Sequence, residues 1–87
     1  MKMINKANDW YRARLPIINV LDNFTWQNYS AYIYEFRLLN CKLTNINEKV
    51  NKLKNLKRKQ SKRRALVIIN NLYAELHNDV IMFKLKL

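Results

Sequence analysis

The residues with the clearest chemistry in this 87-residue chain are cations gathered in one segment. Residues 49–64, called the basic segment below, hold nine Lys or Arg and no acid. They are Lys49, Lys52, Lys54, Lys57, Arg58, Lys59, Lys62, Arg63 and Arg64. A solvated helix face usually interleaves Lys with Glu, and this segment carries only one sign of charge. The pattern predicts a surface that is neutralised by phosphates, whose contacts with Lys and Arg release counterions.

The charge imbalance extends over the entire chain. Lys and Arg number 17 and Asp and Glu number 6, which gives a formal net charge of +11. Such a balance predicts an anionic partner, with nucleic acid ahead of an anionic membrane surface or an acidic protein. Two competing interpretations stay open for the basic segment: a solubilising helix face, and a nuclear-localisation signal in "KRKQSKRR".

Aromatic residues form a second group that could bind nucleic acid. Six lie within 13 positions: Phe24, Trp26, Tyr29, Tyr32, Tyr34 and Phe36. Aromatic rings beside cations stack the bases of single strands, which favours RNA over DNA as the partner. Tyr29, Tyr32 and Phe36 fall on an apolar stripe and are expected in the core. Tyr34 faces away from that stripe, as does Arg37, so these two join the candidate binding residues.

The start of the chain adds two further cations. "DWYRARL", residues 9–15, carries Arg12 and Arg14, which extend the basic surface if the first helix packs near the basic segment. Trp10 in the same stretch is expected to anchor the core, since a Trp buries a large apolar surface.

Catalytic and metal chemistry find little support in the sequence. His77 is the only histidine, and helical spacing puts Glu75 and Asp79 on a common face with His77 on another. Cys41 is alone, and a chain without glycine cannot form a Gly-rich phosphate loop. We expect no catalytic residue, no metal site and no cofactor.

The apolar spacing predicts two long helices. One series alternates steps of three and four: Tyr29, Tyr32, Phe36, Leu39, Leu43, Ile46, Val50 and Leu53. A second series does the same: Leu66, Ile69, Tyr73, Leu76, Val80, Phe83 and Leu87. Their registers disagree across the basic segment. This predicts a helical hairpin that turns near Gln60 and Ser61, with one long helix containing a skip as the alternative.

Helix boundaries are suggested by single residues. Pro16 is expected to end a short first helix near Arg14, because the residue before proline is pushed away from α geometry. Thr25 is a plausible N-cap for a helix from about Trp26 to Arg58. Apolar and polar residues alternate with a period of two over residues 32–38 and 82–87, so β-strands stay open as alternatives for these two segments. The predicted fold class is mainly α: a short N-terminal helix, a long coiled-coil-like hairpin, and an optional C-terminal strand.

Chain length sets expectations for organisation. We expect one small basic helical domain over residues 1–87, and a homodimer that completes a four-helix arrangement, because a chain this short buries limited surface alone. The longest apolar run, "ALVII" at 65–69, is too short to cross a bilayer. A single cysteine suits a reducing compartment, so a cytoplasmic location is expected.

The Asn-, Lys- and Ile-rich composition, as in "KLTNINEKVNKLKN" at 42–55, is the kind encoded by AT-rich codons. In size and composition the chain resembles small accessory proteins of T-even-like bacteriophages, including those that antagonise host defences or RNA-targeting toxins. No motif is shared position by position, so no residue role is carried over. The resemblance implies a protein of the host cytoplasm that binds RNA or a ribonucleoprotein and blocks a host factor by occupancy.

The sequence as a whole therefore predicts a non-enzymatic nucleic-acid-binding protein, RNA more than DNA. The alternative is a protein-interaction module, in which the heptad stripe of the first series contacts a partner protein and nucleic acid is incidental.

Overall fold

Three helices account for most of the part of the chain that the structure describes. The computed structural model describes residues 3–27 and 29–86, with backbone alone at 25–27 and 29–30, and has α1 at Ala7–Gln27, α2 at Tyr29–Leu53 and α3 at Lys59–Lys86. No strand occurs among these residues, so the mainly α class is confirmed. Both strand alternatives are wrong, since 32–38 lie in α2 and 82–86 lie in α3, while Leu87 is outside the described residues.

The hairpin between α2 and α3 is confirmed, but its turn comes earlier than the sequence suggests. The helix that was expected to reach Arg58 ends at Leu53, and residues 54–58 connect it to α3. Gln60 and Ser61 lie in the first turn of α3, so the turn is not at these residues, and the single continuous helix is also wrong.

Local hydrogen bonds and burial explain why the chain turns at this point. The N–H of Asn55 donates to the carbonyl of Lys52 at 3.0 Å, and the N–H of Leu56 donates to the carbonyl of Leu53 at 3.2 Å. These i→i+3 bonds tighten the end of α2 and satisfy its last carbonyls. Leu56 packs against the core, so the turn buries an apolar side chain without any glycine or proline.

Pro16 lies inside α1, so the expectation that it ends a helix near Arg14 is wrong. A proline in a helix interior removes one backbone hydrogen bond, here to the carbonyl of Arg12, and costs about 3 kcal/mol. Arg12 and Pro16 are both exposed, so the proline lies on the solvent side of α1. The helix continues because Ile17 and Leu21, just beyond the proline, are buried.

The start of α2 also differs from the sequence prediction. Thr25 lies in the last turn of α1, so it does not cap α2, which begins at Tyr29. Within α2, Tyr32 has φ −126° and ψ 22°, away from helical values, so the helix is interrupted in its first turn. These differences lengthen α1 to 21 residues and shorten α2 to 25.

The two heptad series form the core of a three-helix bundle. Their central members are buried, as the spacing predicts: Leu39, Leu43, Ile46, Val50, Leu53, Ile69, Tyr73, Leu76, Val80 and Phe83. From α1, the Trp10 ring meets Tyr73 at 5.8 Å between centroids, and Phe24 meets Phe83 at 4.8 Å. These contacts show that α1 runs parallel to α3, and the hairpin makes α2 antiparallel to both, in a body of 45 × 21 × 17 Å.

Candidate nucleic-acid interface

One end of the bundle gathers the cations. The last turns of α2, the loop 54–58 and the first turns of α3 meet there with the start of α1, and we call residues 4–14 and 47–66 the basic end. At 1.5 Å per residue, Lys49 lies about 6 Å before the end of α2 and Arg64 about 8 Å into α3. All nine cations of the basic segment therefore lie within about two helical turns of the loop.

These cations are open to solvent and to a ligand. All are exposed except Lys49, which is half-buried. The two acids of the basic end, Asp9 and Glu48, take part in none of the ion pairs that described residues form with one another. The positive charge of this end is therefore not balanced by the protein itself.

The two helices divide the basic segment between them. A continuous helix would put Lys49, Lys52, Lys59 and Arg63 on one face, and the hairpin instead leaves the first two on α2 and the last two on α3. The cations consequently surround the end of the bundle and do not form a single stripe along one helix.

The start of α3 carries no acid in its first turn, where stable helices favour Asp or Glu. Arg58 precedes the helix, and its carbonyl accepts the first bond, from the N–H of Lys62 at 3.0 Å. The three preceding N–H groups have no carbonyl partner within the helix, and Arg58 offers no side-chain acceptor. This helix start is electrostatically unfavourable alone and would be stabilised by an anion.

The first helix packs beside the loop, which is the condition under which Arg12 and Arg14 extend the basic surface. The hydroxyl of Tyr11 donates to Asn51 Oδ1 at 3.2 Å. The Tyr11 ring lies 4.8 Å from the Arg14 guanidinium carbon and 4.6 Å from Lys54 Nζ, both cation–π distances. Arg12 is exposed. The ring thus holds two cations between α1 and the end of α2.

Beneath this contact, Trp10 anchors α1. Its side chain is fully buried, as expected from the sequence, and Nε1 donates to Asn47 Oδ1 at 2.7 Å. Arg14 Nη1 reaches the same oxygen at 3.4 Å, while Arg14 Nε is buried with no hydrogen-bond partner in the described residues. The position of Arg14 is therefore fixed by α2 as well as by Tyr11.

Lys6 also lies at the basic end, although the sequence did not identify it as a candidate. It lines a cleft together with Lys54 and Lys62, which belong to the loop and to α3. Nothing in its local sequence signals this, because the three residues meet only when the bundle forms.

Two sequence candidates lie elsewhere. Tyr34 and Arg37 are exposed, with Tyr34 80% accessible, but they lie near the start of α2. Helix geometry separates them from Lys54 by about 30 Å and 25 Å. The structure does not bring them to the basic end.

The remaining aromatic residues with described side chains are structural. Phe24 stacks on Phe36 at 5.1 Å between centroids, and Tyr32 meets the edge of Phe83 at 6.5 Å. The side chains of Trp26 and Tyr29 lie outside the described residues.

Away from the basic end, carboxylates pair with lysine. Lys42 Nζ binds Glu75 Oε1 at 3.0 Å and also Asp79 Oδ2. Hydrogen bonds to Asp79 and then Glu75 raise the pKa of Lys42 above its usual 10.5. The His77 ring meets Tyr73 at 5.9 Å. Across the described residues, no three His, Cys, Asp or Glu side chains gather to hold a metal ion.

No family model, curated protein or solved structure matches this chain. Within residues 3–27 and 29–86, every helix is too short or too polar to span a bilayer. The geometry and charge of the basic end are therefore the features that point to a function.

Proposed function

We propose that this chain is a non-enzymatic nucleic-acid-binding protein of the cytoplasm, which prefers RNA to DNA and contacts phosphates through the basic end. The observation that carries the proposal is the gathering of nine exposed or half-exposed cations around one end of the bundle. No described acid pairs with them, and the exposed Lys6 and Arg12 add to the same end.

The unfavourable features of this end support a polyanionic ligand. The cations repel one another, and the start of α3 places further positive charge beside them. Bound phosphates would reduce the repulsion between the cations and would also stabilise the start of α3. About six phosphate contacts predict a log–log salt slope near −4 for a single strand and near −5 for a duplex.

The preference for RNA relies on the other end of α2. Exposed Tyr34, with Arg37 close by, offers a ring for stacking and a cation. A single strand long enough to follow α2 for about 30 Å could contact these residues as well as the basic end.

A matched pair of variants tests the assignment of the site. Arg63→Glu with Arg64→Glu and, as control, Lys84→Glu with Lys86→Glu each change the formal net charge from +11 to +7. Affinity for a fluorescein-labelled 20-nucleotide RNA is measured by anisotropy, and helix content by circular dichroism. We expect the first variant to lose at least about tenfold in affinity and the control less than about twofold. Equal losses with intact helices would contradict the assignment.

We propose further that binding acts by occupancy: the bound RNA or ribonucleoprotein of a host is blocked from its usual partner. Such a role needs affinity and no chemistry, which suits a chain proposed to be non-enzymatic. Protection of the bound RNA against an added ribonuclease measures this directly. An RNA that is saturated with the protein and still cleaved at the uncovered rate would contradict occupancy.

A protein-interaction role is the second candidate, through a different surface from the one the sequence suggests. The heptad residues Leu43 and Val50 are buried within the single chain, so a partner cannot reach them in this fold. Three exposed apolar side chains line grooves to which α1 contributes no residue: Leu38 at 48%, Ile68 at 50% and Met82 at 55%.

We propose that a second copy packs on these side chains, so that two α2–α3 pairs form a four-helix arrangement. Leu38→Asp with Met82→Asp is expected to shift the sedimentation-equilibrium mass from dimer to monomer while RNA binding persists. A wild-type monomer at about 100 times the concentration used for RNA binding would contradict the homodimer.

A further inference from the structure

A cleft of about 240 Å³ opens at the basic end. It lies between the segment before α1, the loop after α2 and the first turns of α3. Each of these contributes one exposed lysine to the lining, namely Lys6, Lys54 and Lys62. The apolar part of the lining comes from Ala7, Leu53 and Leu66, of which Leu53 is buried and the other two are half-buried.

The segment that carries Lys6 is firmly attached to the bundle. Ile4 is buried, its N–H donates to Asn70 Oδ1 at 2.7 Å, and its carbonyl accepts from Asn70 Nδ2 at 2.8 Å. The N–H groups of Asn5 and Lys6 donate to Asp9 Oδ2 at 3.0 and 3.2 Å. The side chain of Lys6 therefore starts from a defined backbone position beside α3.

The other two lysines also start from defined backbone positions. Lys54 Nζ lies over the Tyr11 ring, and Lys62 projects from the first turns of a 28-residue helix. The cleft is thus formed without a ligand, which reduces the entropy that binding must overcome.

The charges around the cleft have one sign. The acid nearest in sequence is Asp9, whose Oδ2 already accepts two backbone N–H groups and which is not among the lining residues. Three lysines around a small cleft repel one another, and lysine ammonium groups bind phosphate as compact point charges. The apolar floor, in contrast, offers nothing to a bare anion. It suits the sugar or base that accompanies a phosphate.

We propose that this cleft binds one nucleotide of the nucleic acid, with its phosphate among Lys6, Lys54 and Lys62 and its sugar or base against Leu53 and Leu66. The inference rests on the proposed function and deepens it. Most of the basic end would then attract the polyanion at long range, while this cleft would fix where one nucleotide lies.

The test compares two neighbouring lysine or arginine positions with the same charge. Lys62→Gln removes a cleft residue, and Arg63→Gln removes an exposed cation that does not line the cleft. Uridine 5′-monophosphate and inorganic phosphate are titrated into each ¹⁵N-labelled protein, and amide shifts are followed by NMR.

We expect uridine monophosphate to shift the amides of Leu53 and Leu66 and to bind more tightly than phosphate. Lys62→Gln should lower the affinity for uridine monophosphate about tenfold, as loss of a charged hydrogen bond does. Arg63→Gln should lower that affinity less than about twofold. Equal weakening by the two variants, phosphate binding as tightly as the nucleotide, or shifts that map elsewhere would each overturn the proposal.

The same proteins are then tested with a 20-nucleotide RNA. If the RNA binds while Lys62→Gln and Arg63→Gln weaken uridine monophosphate binding alike, the cleft proposal fails and the proposed function stands. If the RNA does not bind even at about 50 mM salt, the proposed function fails, and the cleft proposal fails with it.

Discussion

Tyr11 and Lys42 show two different uses of cations in this chain. Tyr11 holds Arg14 and Lys54 by its ring, without neutralising their charge, so both can still attract phosphate. Lys42 is engaged by Glu75 and Asp79 and serves the packing of α2 on α3. The paired lysine in the middle of the bundle has a structural role. The unpaired cations at the basic end have the proposed binding role.

Two residues predict how stability depends on alkaline pH. Lys42 has its pKa raised by Asp79 and Glu75, so its contribution is complete below about pH 10.5 and is lost as pH rises through the raised value. Burial raises the pKa of Tyr73 above 10.0, so the unfolded chain loses that proton first. Both shifts predict that the urea midpoint begins to fall near pH 10.0, where Tyr73 of the unfolded chain titrates, and continues to fall above pH 10.5 as Lys42 loses its proton.

Tyr73→Phe separates the two contributions, because it removes the phenol and keeps the ring beside Trp10. The decline with pH should be smaller in this variant, and the remainder belongs to Lys42 and to other groups. A wild-type midpoint that stays level or rises over this range would contradict both assignments.

Among the elements, the start of α3 carries a residue that suits the proposed binding of phosphate but lowers the stability of the helix. An acidic N-cap would satisfy the free N–H groups and favour the helix dipole, yet Arg58 occupies that position. We expect Arg58→Asp to raise the free energy of unfolding by about 1 kcal/mol and to weaken RNA binding. Urea denaturation and anisotropy measure the two effects.

Arg58→Ser is the matched control, because serine caps the helix and adds no negative charge. It should stabilise the protein by a similar amount and weaken RNA binding less than Asp. If Arg58→Asp leaves stability unchanged or lowers it, the start of α3 is already capped and the argument from this helix end is wrong.

The first helix allows a separate test. Pro16→Ala should restore the hydrogen bond to the Arg12 carbonyl, and we expect a gain in unfolding free energy of about 2 kcal/mol after the entropy that proline removes from the unfolded chain is subtracted. Asn19→Ala, a substitution at another exposed position of α1, should change the free energy of unfolding by less than about 0.7 kcal/mol. Equal effects would show that Pro16 does not weaken α1.

The helices were predictable where burial repeats with a period. The heptad spacing of Leu39 to Leu53 and of Ile69 to Phe83 identified the faces that pack together. The helix ends were not predictable, because they depend on tertiary contacts. Burial of Ile17 and Leu21 extends α1 beyond Pro16, and packing of Leu56 against the core stabilises the turn before Lys59.

The candidate site was predictable in the same uneven way. The cations of the basic segment are contiguous in sequence, so a count of charges finds them. The place of Lys6 beside Lys54 and Lys62 depends on three distant parts of the chain, and local patterns contain no such information. Tyr34 was correctly expected to face away from the core, but the distance from the basic end appears only when α2 is traced.

At the scale of the whole molecule, the charge is polarised. The body is 45 Å long, and the cations of the basic segment surround one end of it, while the ion pairs between described residues lie along its middle and toward the other end. A field of this shape steers a polyanion toward one end of the protein. It also makes binding strongly dependent on salt, because the contacts are exposed and readily screened.

The most direct measurement of the central claim is therefore the affinity of the unmodified protein for a 20-nucleotide single-stranded RNA between about 50 and 300 mM salt. The proposed contacts predict a linear fall in log K against log salt with a slope near −4. A slope close to zero, or no measurable binding at the lowest salt, would contradict the assignment of the basic end as a nucleic-acid interface.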